Sequence, residues 1–332
     1  MTRVFLTGGS GLVGGALAAG LVAQGDEVIA LARSEQAAAK LRERNTTPVQ
    51  ANLFDVDALA RAIEGCELVY HVAGVNTMCP KDPAQMLDVN VRGARLAVRA
   101  AAKAGARRVI LTSSSAAIGE VEGTVGSEAS PHRGSYMSVY ERSKHEGELA
   151  AFDEAAKTGI ELVAINPSSV QGPGRAGGTG RILLAYLNGK LRVFVHTRIS
   201  LVDIDDTVRA HLLGAERGTP GERYLISGAT LTSQEALDLV TKISGVRHRV
   251  VFVPGAVAMA VGVGIGRIAR ARGKTAPVCR EMIVTMLHGH HYDGSRATRD
   301  LGLTYTPVED TFRRTIEWAR GAGLVSVPVA TG

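Results

Sequence analysis

Tyr140-Glu141-Arg142-Ser143-Lys144 places a phenol and an ammonium four residues apart. On a helix that spacing puts both groups on one face. A phenol can pass a proton to a carbonyl oxygen if its pKa is lowered, and a cation one turn away lowers it. Upstream, Ser113-Ser114-Ser115 ends an apolar run and offers a hydroxyl to polarise the same oxygen. The missing reagent is a hydride, and the start of the chain suggests its source. A strand-like run, Arg3 to Leu6, leads into Thr7-Gly8-Gly9-Ser10-Gly11-Leu12-Val13-Gly14 and then an Ala- and Leu-rich stretch, Gly15 to Gln24. A strand, a glycine turn and a helix start let the backbone approach a pyrophosphate and aim helix N–H groups at it. Gly8, Ser10, Gly11, Leu12, Val13 and Gly14 are therefore candidate dinucleotide contacts. With Tyr140, Lys144 and a serine, they point to hydride transfer between a nicotinamide and a carbonyl or alcohol carbon. In oxidation the same groups run backwards.

The form of the dinucleotide is read at the end of the second strand. Sites that prefer NAD hold an acidic residue there for the ribose hydroxyls. Eighteen residues past Gly14 that position is Ala32, followed by Arg33 and Ser34. A guanidinium can fork onto a 2′-phosphate and a hydroxyl can donate to it. The expected cofactor is NADP(H), with Arg33 as the discriminating contact.

The elements that position these groups alternate regularly. Strands are expected at Glu27 to Ala32, Pro48 to Leu53, Leu68 to Val72, Arg108 to Thr112 and Glu161 to Asn166. Helices are expected at Asp88 to Ala104 and Tyr140 to Ala156. Such alternation predicts an α/β protein with a doubly wound parallel sheet covered on both faces. Residues 1–170 read as the dinucleotide-binding core, with 193–228 returning to it, and 171–332 as a smaller mixed α/β substrate-binding cap. Gly172 to Gly180 reads as a mobile loop over the site. Arg192 to Val202 reads as a strand, after which Asp203 caps a helix.

At this point the chain resembles an extended short-chain dehydrogenase/reductase, a superfamily that includes nucleotide-sugar epimerases and dihydroflavonol-4-reductase-like enzymes. Further matches are Val89-Asn90-Val91-Arg92-Gly93, Asn166-Pro167-Ser168-Ser169-Val170 with Gly172-Pro173, Leu201-Val202-Asp203-Ile204-Asp205-Asp206, and Tyr292-Asp293-Gly294-Ser295-Arg296-Ala297 with Leu301-Gly302. The resemblance implies that Tyr140 is the acid/base, that Lys144 is its partner and a ribose contact, and that Ser114 is the serine, counting back from Gly119. Asn90 would hold backbone geometry. Asn52 and Leu53, in Ala51-Asn52-Leu53 where the family has Gly-Asp-Leu, would meet the adenine. Ala73, Gly74, Thr112, Pro167, Ser168, Ser169 and Val170 complete the implied cofactor contacts. Val75, Ser115, Met137 and Thr179 are the implied substrate contacts.

Other classes fit less well. The net charge of +6 over 332 residues is spread along the chain, which suits an anionic cofactor and gives no nucleic-acid arm. Cys66, Cys79 and Cys279 have no metal spacing and read as free thiols of a cytoplasmic protein. No signal peptide precedes the glycine turn. The uncharged run Val251 to Gly266, before Arg267, Arg270, Arg272 and Lys274, is too short to span a bilayer. It reads as a buried or pocket-lining helix, with interfacial membrane contact the alternative and no stable insertion. His288-Gly289-His290-His291 has no carboxylate or cysteine at ligand spacing and reads as a polar turn, so no metal is expected. Arg175, Arg181, Arg192 and Arg198 do not match a sugar-nucleotide clamp, and Val257, Met259, Met282, Met286 and Leu287 make the cap apolar. The expected substrate is a moderately apolar small-molecule carbonyl or alcohol. A nucleotide-sugar epimerase with bound NAD and a non-enzymatic dinucleotide sensor are the alternatives. A homodimer is compatible with the resemblance.

Overall fold

The computed structural model describes residues 1–273 and 278–325; Lys274, named above, lies outside them. In chain order the first half holds β1 (Arg3–Thr7), α1 (Leu12–Ala23), β2 (Glu27–Ala32), α2 (Glu35–Arg42), β3 (Thr47–Gln50), α3 (Val56–Ile63), β4 (Leu68–His71), α4 (Pro83–Leu87), α5 (Gly93–Lys103), β5 (Arg108–Thr112), α6 (Val139–Thr158) and β6 (Glu161–Pro167). There follow β7 (Ser169–Gln171), α7 (Gly180–Leu187), β8 (Val193–Phe194), β9 (Arg198–Asp203), α8 (Ile204–Arg217), β10 (Arg223–Ile226), β11 (Ala229–Thr232), α9 (Ser233–Ser244), β12 (Val251–Phe252), α10 (Gly255–Ala271), α11 (Arg280–His288) and α12 (Val308–Gly321).

Seven strands form one parallel sheet in the order β10-β6-β5-β4-β1-β2-β3. The order reverses between β1 and β4, so a crevice opens beyond their carboxyl ends, where Thr7 and His71 stand. Both faces are covered, and β1 shows how. Val4 and Leu6 enter a core with Leu17, Leu21 and Val208 of α1 and α8. Phe5, between them, enters the opposite core with Leu59, Ile63 and Val98 of α3 and α5. Alternation on a strand buried on both sides accounts for its continuous apolar run. A third core gathers Leu183, Tyr186, Leu187, Leu237, Phe312 and Ile316 around the small sheet β11-β9-β7.

Several expectations need correction. The third strand stops at Gln50, opposite Ala32, because its partner β2 ends there; Asn52 and Leu53 lie in the loop beyond. Pro48 is tolerated because β3 is an edge strand. The run Arg192 to Val202 is two strands in different sheets, β8 beside β12 and β9 between β7 and β11. Asp203 does cap α8, its carboxylate accepting from Asp205 N at 2.8 Å. The helix expected from Asp88 begins as a π-helical turn, Asp88–Arg92, before α5. The apolar run after Val251 is a strand pair and α10. That helix is not buried: Val257, Val261, Ile265 and Ile268 are exposed on one face, while Gly262 packs under Ile283 of α11. Among the described residues no helix is long and apolar enough to cross a membrane.

The free-thiol reading holds only for Cys66, which is buried. Cys79 and Cys279 form a disulfide across 200 residues of sequence, with their Cα atoms 6.0 Å apart. Neither spacing nor composition reports such a long-range approach. The bond ties the loop after β4 to the segment before α11.

Candidate active site

The glycine turn is built for close backbone approach. Gly8 adopts φ 74°, and a Cβ there would sit 2.6 Å from Ala73 N. A Cβ on Gly14 would sit 2.2 Å from Gly8 O, so α1 passes directly over the turn. The N-cap of α1 is Gly11, without a side-chain hydrogen bond, and the first turn carries no acidic residue. Its N–H groups are thus left to an outside acceptor, which fits a pyrophosphate. Thr7, which sequence reasoning passed over, fixes the floor. Its Oγ1 accepts from Val72 N and Ala73 N, both at 3.1 Å, and bonds His71 Nδ1 at 2.9 Å. That interlocks the ends of β1 and β4 at the point where the strand order reverses.

At the end of β2, Arg33 is exposed and Ser34 caps α2, accepting from Ala37 N at 3.2 Å. A second cation stands over the glycine turn. Arg44 donates to Gly9 O at 3.2 Å and lies against Gly15. No motif marks Arg44; only the fold of α2 against the turn brings it there. Asn52 accepts from Phe54 N at 3.0 Å, and Leu53 packs against Gly93.

The reactive groups meet beyond β5 and at the start of α6. Ser138 caps α6 by accepting from Glu141 N at 3.1 Å, while Glu141 accepts from Met137 N at 2.6 Å and pairs with Arg133. This clamp orients the first helical turn, which carries Tyr140. The helix can press on the π-helical turn only because residue 147 is glycine: a Cβ there would lie 2.3 Å from Asn90 O. Asn90 in turn donates to Val75 O (3.0 Å) and Ser143 Oγ (2.8 Å) and accepts from Val75 N (2.7 Å). Its backbone-holding role is thus visible, and a π-turn at such a place is a common device. Ser114 is buried, its Oγ accepts from Ala116 N at 3.2 Å, and its hydroxyl lies near enough to the Tyr140 phenol to act on it. Asn166 donates to Ser114 O (3.1 Å) and to Glu148 (2.6 Å), fixing the serine from behind.

Lys144 Nζ donates to Thr112 O at 2.9 Å. Thr112 Oγ1 bonds His211 Nε2 at 2.7 Å. Burial pushes the Lys144 ammonium down to about 8, with the Glu148 charge opposing. Burial pushes His71 down to about 3 and His211 to about 4, so both rings are neutral near pH 7. The expected lowering of the Tyr140 phenol is not what the protein without ligand shows. Burial raises it, opposed by the Ser114 hydrogen bond and by the charge of Arg175. Lys144, held on the Thr112 carbonyl, is not among the groups that lower it.

The remaining residues fall into two groups. Pro167 ends β6; Ser168 is buried with its N–H on Ile226 O at 2.8 Å; Val170 is buried in β7. Ser169 bonds Thr179 at 2.8 Å, and Gln171 donates to Thr179 at 2.7 Å. The glycine-rich loop is therefore tied at its far end and passes straight into α7 at Gly180. Gly74 lies beside Asn90, where a Cβ would be 3.2 Å from its Oδ1. Ser115 is buried and lies near the Tyr292 hydroxyl. Arg175 is the residue that sequence reasoning undervalued. It reaches the neighbourhood of Tyr140 from the loop, and its Nε is buried without a partner.

If Lys144 also holds the nicotinamide ribose, its charge should govern affinity. Below about pH 8 the ammonium is present; above it the amine is neutral. NADPH affinity is expected to weaken about tenfold per pH unit above 8, until the pKa of the complex is reached. In Lys144→Arg, which stays charged, affinity should be flat to pH 10. Fluorescence titration from pH 7 to 10 measures both, and a flat wild-type profile removes Lys144 from the ribose.

Comparison with known proteins agrees with this architecture. The NAD dependent epimerase/dehydratase family matches residues 4–227. A Synechocystis protein provisionally named a dihydroflavonol 4-reductase is 30% identical over 97% of this chain and 95% of its own. Sterol demethylase protein B of Methylococcus capsulatus is 29% identical over 96% and 99%. The crystal structure of gox2253 superposes with a TM-score of 0.84 at 28% identity, covering 98% of this chain and all of the other. A UDP-glucose 4-epimerase from Thermotoga maritima shares the fold, with a TM-score of 0.77 at 21% identity over 96% and 99%.

Proposed function

We infer the reaction from one premise: this chain belongs to the NAD dependent epimerase/dehydratase family, within the extended short-chain dehydrogenases/reductases. It is an NAD(P)-dependent oxidoreductase of that type. The finer reading is an NADP-dependent reductase or dehydrogenase acting on a carbonyl or alcohol of a moderately apolar small molecule. The observation that carries it is the approach of the Ser114 hydroxyl to the Tyr140 phenol beside the β1/β4 crevice, with Lys144 one turn along α6.

When bound, the nicotinamide supplies or accepts the hydride. Tyr140 gives its hydroxyl proton to the substrate oxygen as that oxygen gains negative charge, and Ser114 donates a hydrogen bond to the same atom. With the dinucleotide bound, Lys144 would hold its ribose, and its charge would lower the phenol. Arg33, with Ser34 beside it in sequence, would hold the 2′-phosphate. Arg33→Ala is expected to weaken NADPH binding about tenfold or more while leaving NADH nearly unchanged, because a charge-assisted contact of about 1.5–3 kcal/mol is lost only for the phosphate.

One observation favours a second reading. Arg175, with a free Nε beside Tyr140, could meet a diphosphate, as a nucleotide-sugar epimerase with bound NAD would require. Incubation with 4-deuterated NADPH and a panel of aryl and alkyl ketones distinguishes the two. A reductase yields a carbon-bound deuterium in the alcohol. An epimerase yields none, and instead interconverts UDP-sugars without net consumption of dinucleotide.

A further inference from the structure

The histidine run 288–291 gains in the fold the carboxylate it lacks in sequence. Glu120 comes from the segment after β5, six residues beyond Ser114, and is 2% exposed. His290 Nδ1 lies 2.6 Å from Glu120 Oε1, and His288 Nε2 lies 3.4 Å from the same oxygen. All three ligand atoms fall within 4.8 Å of one another. Two buried atoms have no hydrogen-bond partner, Glu120 Oε2 and His288 Nε2. Leaving both without a partner costs free energy. The nearby Arg133 does not relieve this, because its guanidinium is committed to Glu141 and to Glu120 O.

We propose that Glu120, His288 and His290 form a binding site for a divalent transition ion, Zn²⁺ by the choice of ligands. Two imidazole nitrogens and a carboxylate oxygen are a zinc donor set. Ligands about 2.1 Å from a tetrahedral ion lie roughly 3.4 Å apart, which matches the His288–Glu120 separation. The ion displaces the proton shared by His290 and Glu120, and both orphaned atoms come within reach of it. The fourth position falls to water or to the Tyr292 hydroxyl, which stands 3.0 Å from His290 Nδ1. An entry path exists: a cavity of about 340 Å³, lined by Glu122, His196, Arg198, Thr232, His288 and His291, opens on the site.

The placement gives the ion a structural task. Glu120 belongs to the segment that carries Ser114 and Ser115, whereas His288 and His290 flank the end of α11 in the C-terminal part. The two segments already touch at the Gly126–Tyr292 bridge, where Gly126 N donates to His291 O at 2.8 Å. An ion at this point staples the serine segment to the cap. It takes no part in the hydride transfer, so this site and the reaction proposed above stand or fall separately.

The test is Zn²⁺ alone, by calorimetry on chelator-treated protein, with Co²⁺ as a spectroscopic stand-in. One Zn²⁺ per chain with a dissociation constant of about 1 µM or tighter is expected, falling at least 100-fold in His288→Gln and in Glu120→Gln. His291→Gln, beside the site but outside its ligand set, should bind as wild type. Native protein alone supplies a second readout should a variant misfold: Co²⁺ should give absorption bands between about 500 and 600 nm, and Zn²⁺ a chelator-reversible rise in Tm. No stoichiometric binding by the native protein, or binding that survives both ligand variants, would show a histidine–carboxylate pair that takes no metal.

Discussion

Tyr140→Phe should lower turnover by about 10²–10⁴-fold while NADPH affinity stays within about twofold of wild type. The substitution removes one oxygen and nothing else. Ser138, Glu141 and Arg133 still hold the first turn of α6, and Lys144 still has Thr112 O to bond. Ser114 keeps Ala116 N and loses only the phenol. The hydride remains deliverable, but the developing alkoxide has no proton donor within reach. Steady-state turnover on a ketone found in the deuterium panel, alongside a fluorescence titration of NADPH, measures both quantities. A variant retaining more than about a tenth of wild-type turnover would mean that another group supplies the proton.

Gly14→Ala is expected to be as damaging by a different route. The added methyl would lie 2.2 Å from Gly8 O and 2.7 Å from Gly8 C, and both are backbone atoms that no side-chain rotation can move. Either α1 lifts from the turn or the turn opens. Each outcome misaims the N–H groups at the helix start. Overpacking of this kind costs about 1–3 kcal/mol of stability. Dinucleotide binding should fall below detection if, as proposed, those backbone groups meet the pyrophosphate. Gly11→Ala is the matched control. Its Cβ would have only Gly8 O nearby, at 3.3 Å, so a smaller loss of stability is expected. Thermal unfolding and NADPH titration of the pair separate a steric cause from a general cost of replacing glycine.

What could be read in the sequence divides along a physical line. The parallel sheet was legible because each strand is a short apolar run with turn residues at its ends, and periodicity survives without knowledge of neighbours. Asp203 as a cap and the glycine turn were legible for the same reason, since both are local. Groups brought together over long distances were not. Glu120 with His288 and His290, Cys79 with Cys279, Arg44 over Gly9 and Arg175 beside Tyr140 are assembled by the fold. The π-helical turn at Asn90 was hidden too, and so was its close packing on Gly147 of α6. The sign of the Tyr140 shift was misjudged because burial, which spacing does not report, outweighs the groups that lower it, Ser114 and Arg175.

The central claim is an NADP-dependent reductase, and the cofactor is where it is most exposed. The decisive measurement is the dinucleotide recovered from purified, denatured protein, followed by titration of the emptied protein with NADPH and NADH. The end of β2 holds Ala32, Arg33 and Ser34, with no carboxylate where an NAD site would hold one. The protein should release little dinucleotide and bind NADPH at least about tenfold more tightly than NADH, the factor that one charge-assisted phosphate contact supplies. Stoichiometric NAD in the denatured supernatant, or equal affinities for the two cofactors, would contradict the account and turn the assignment toward an epimerase.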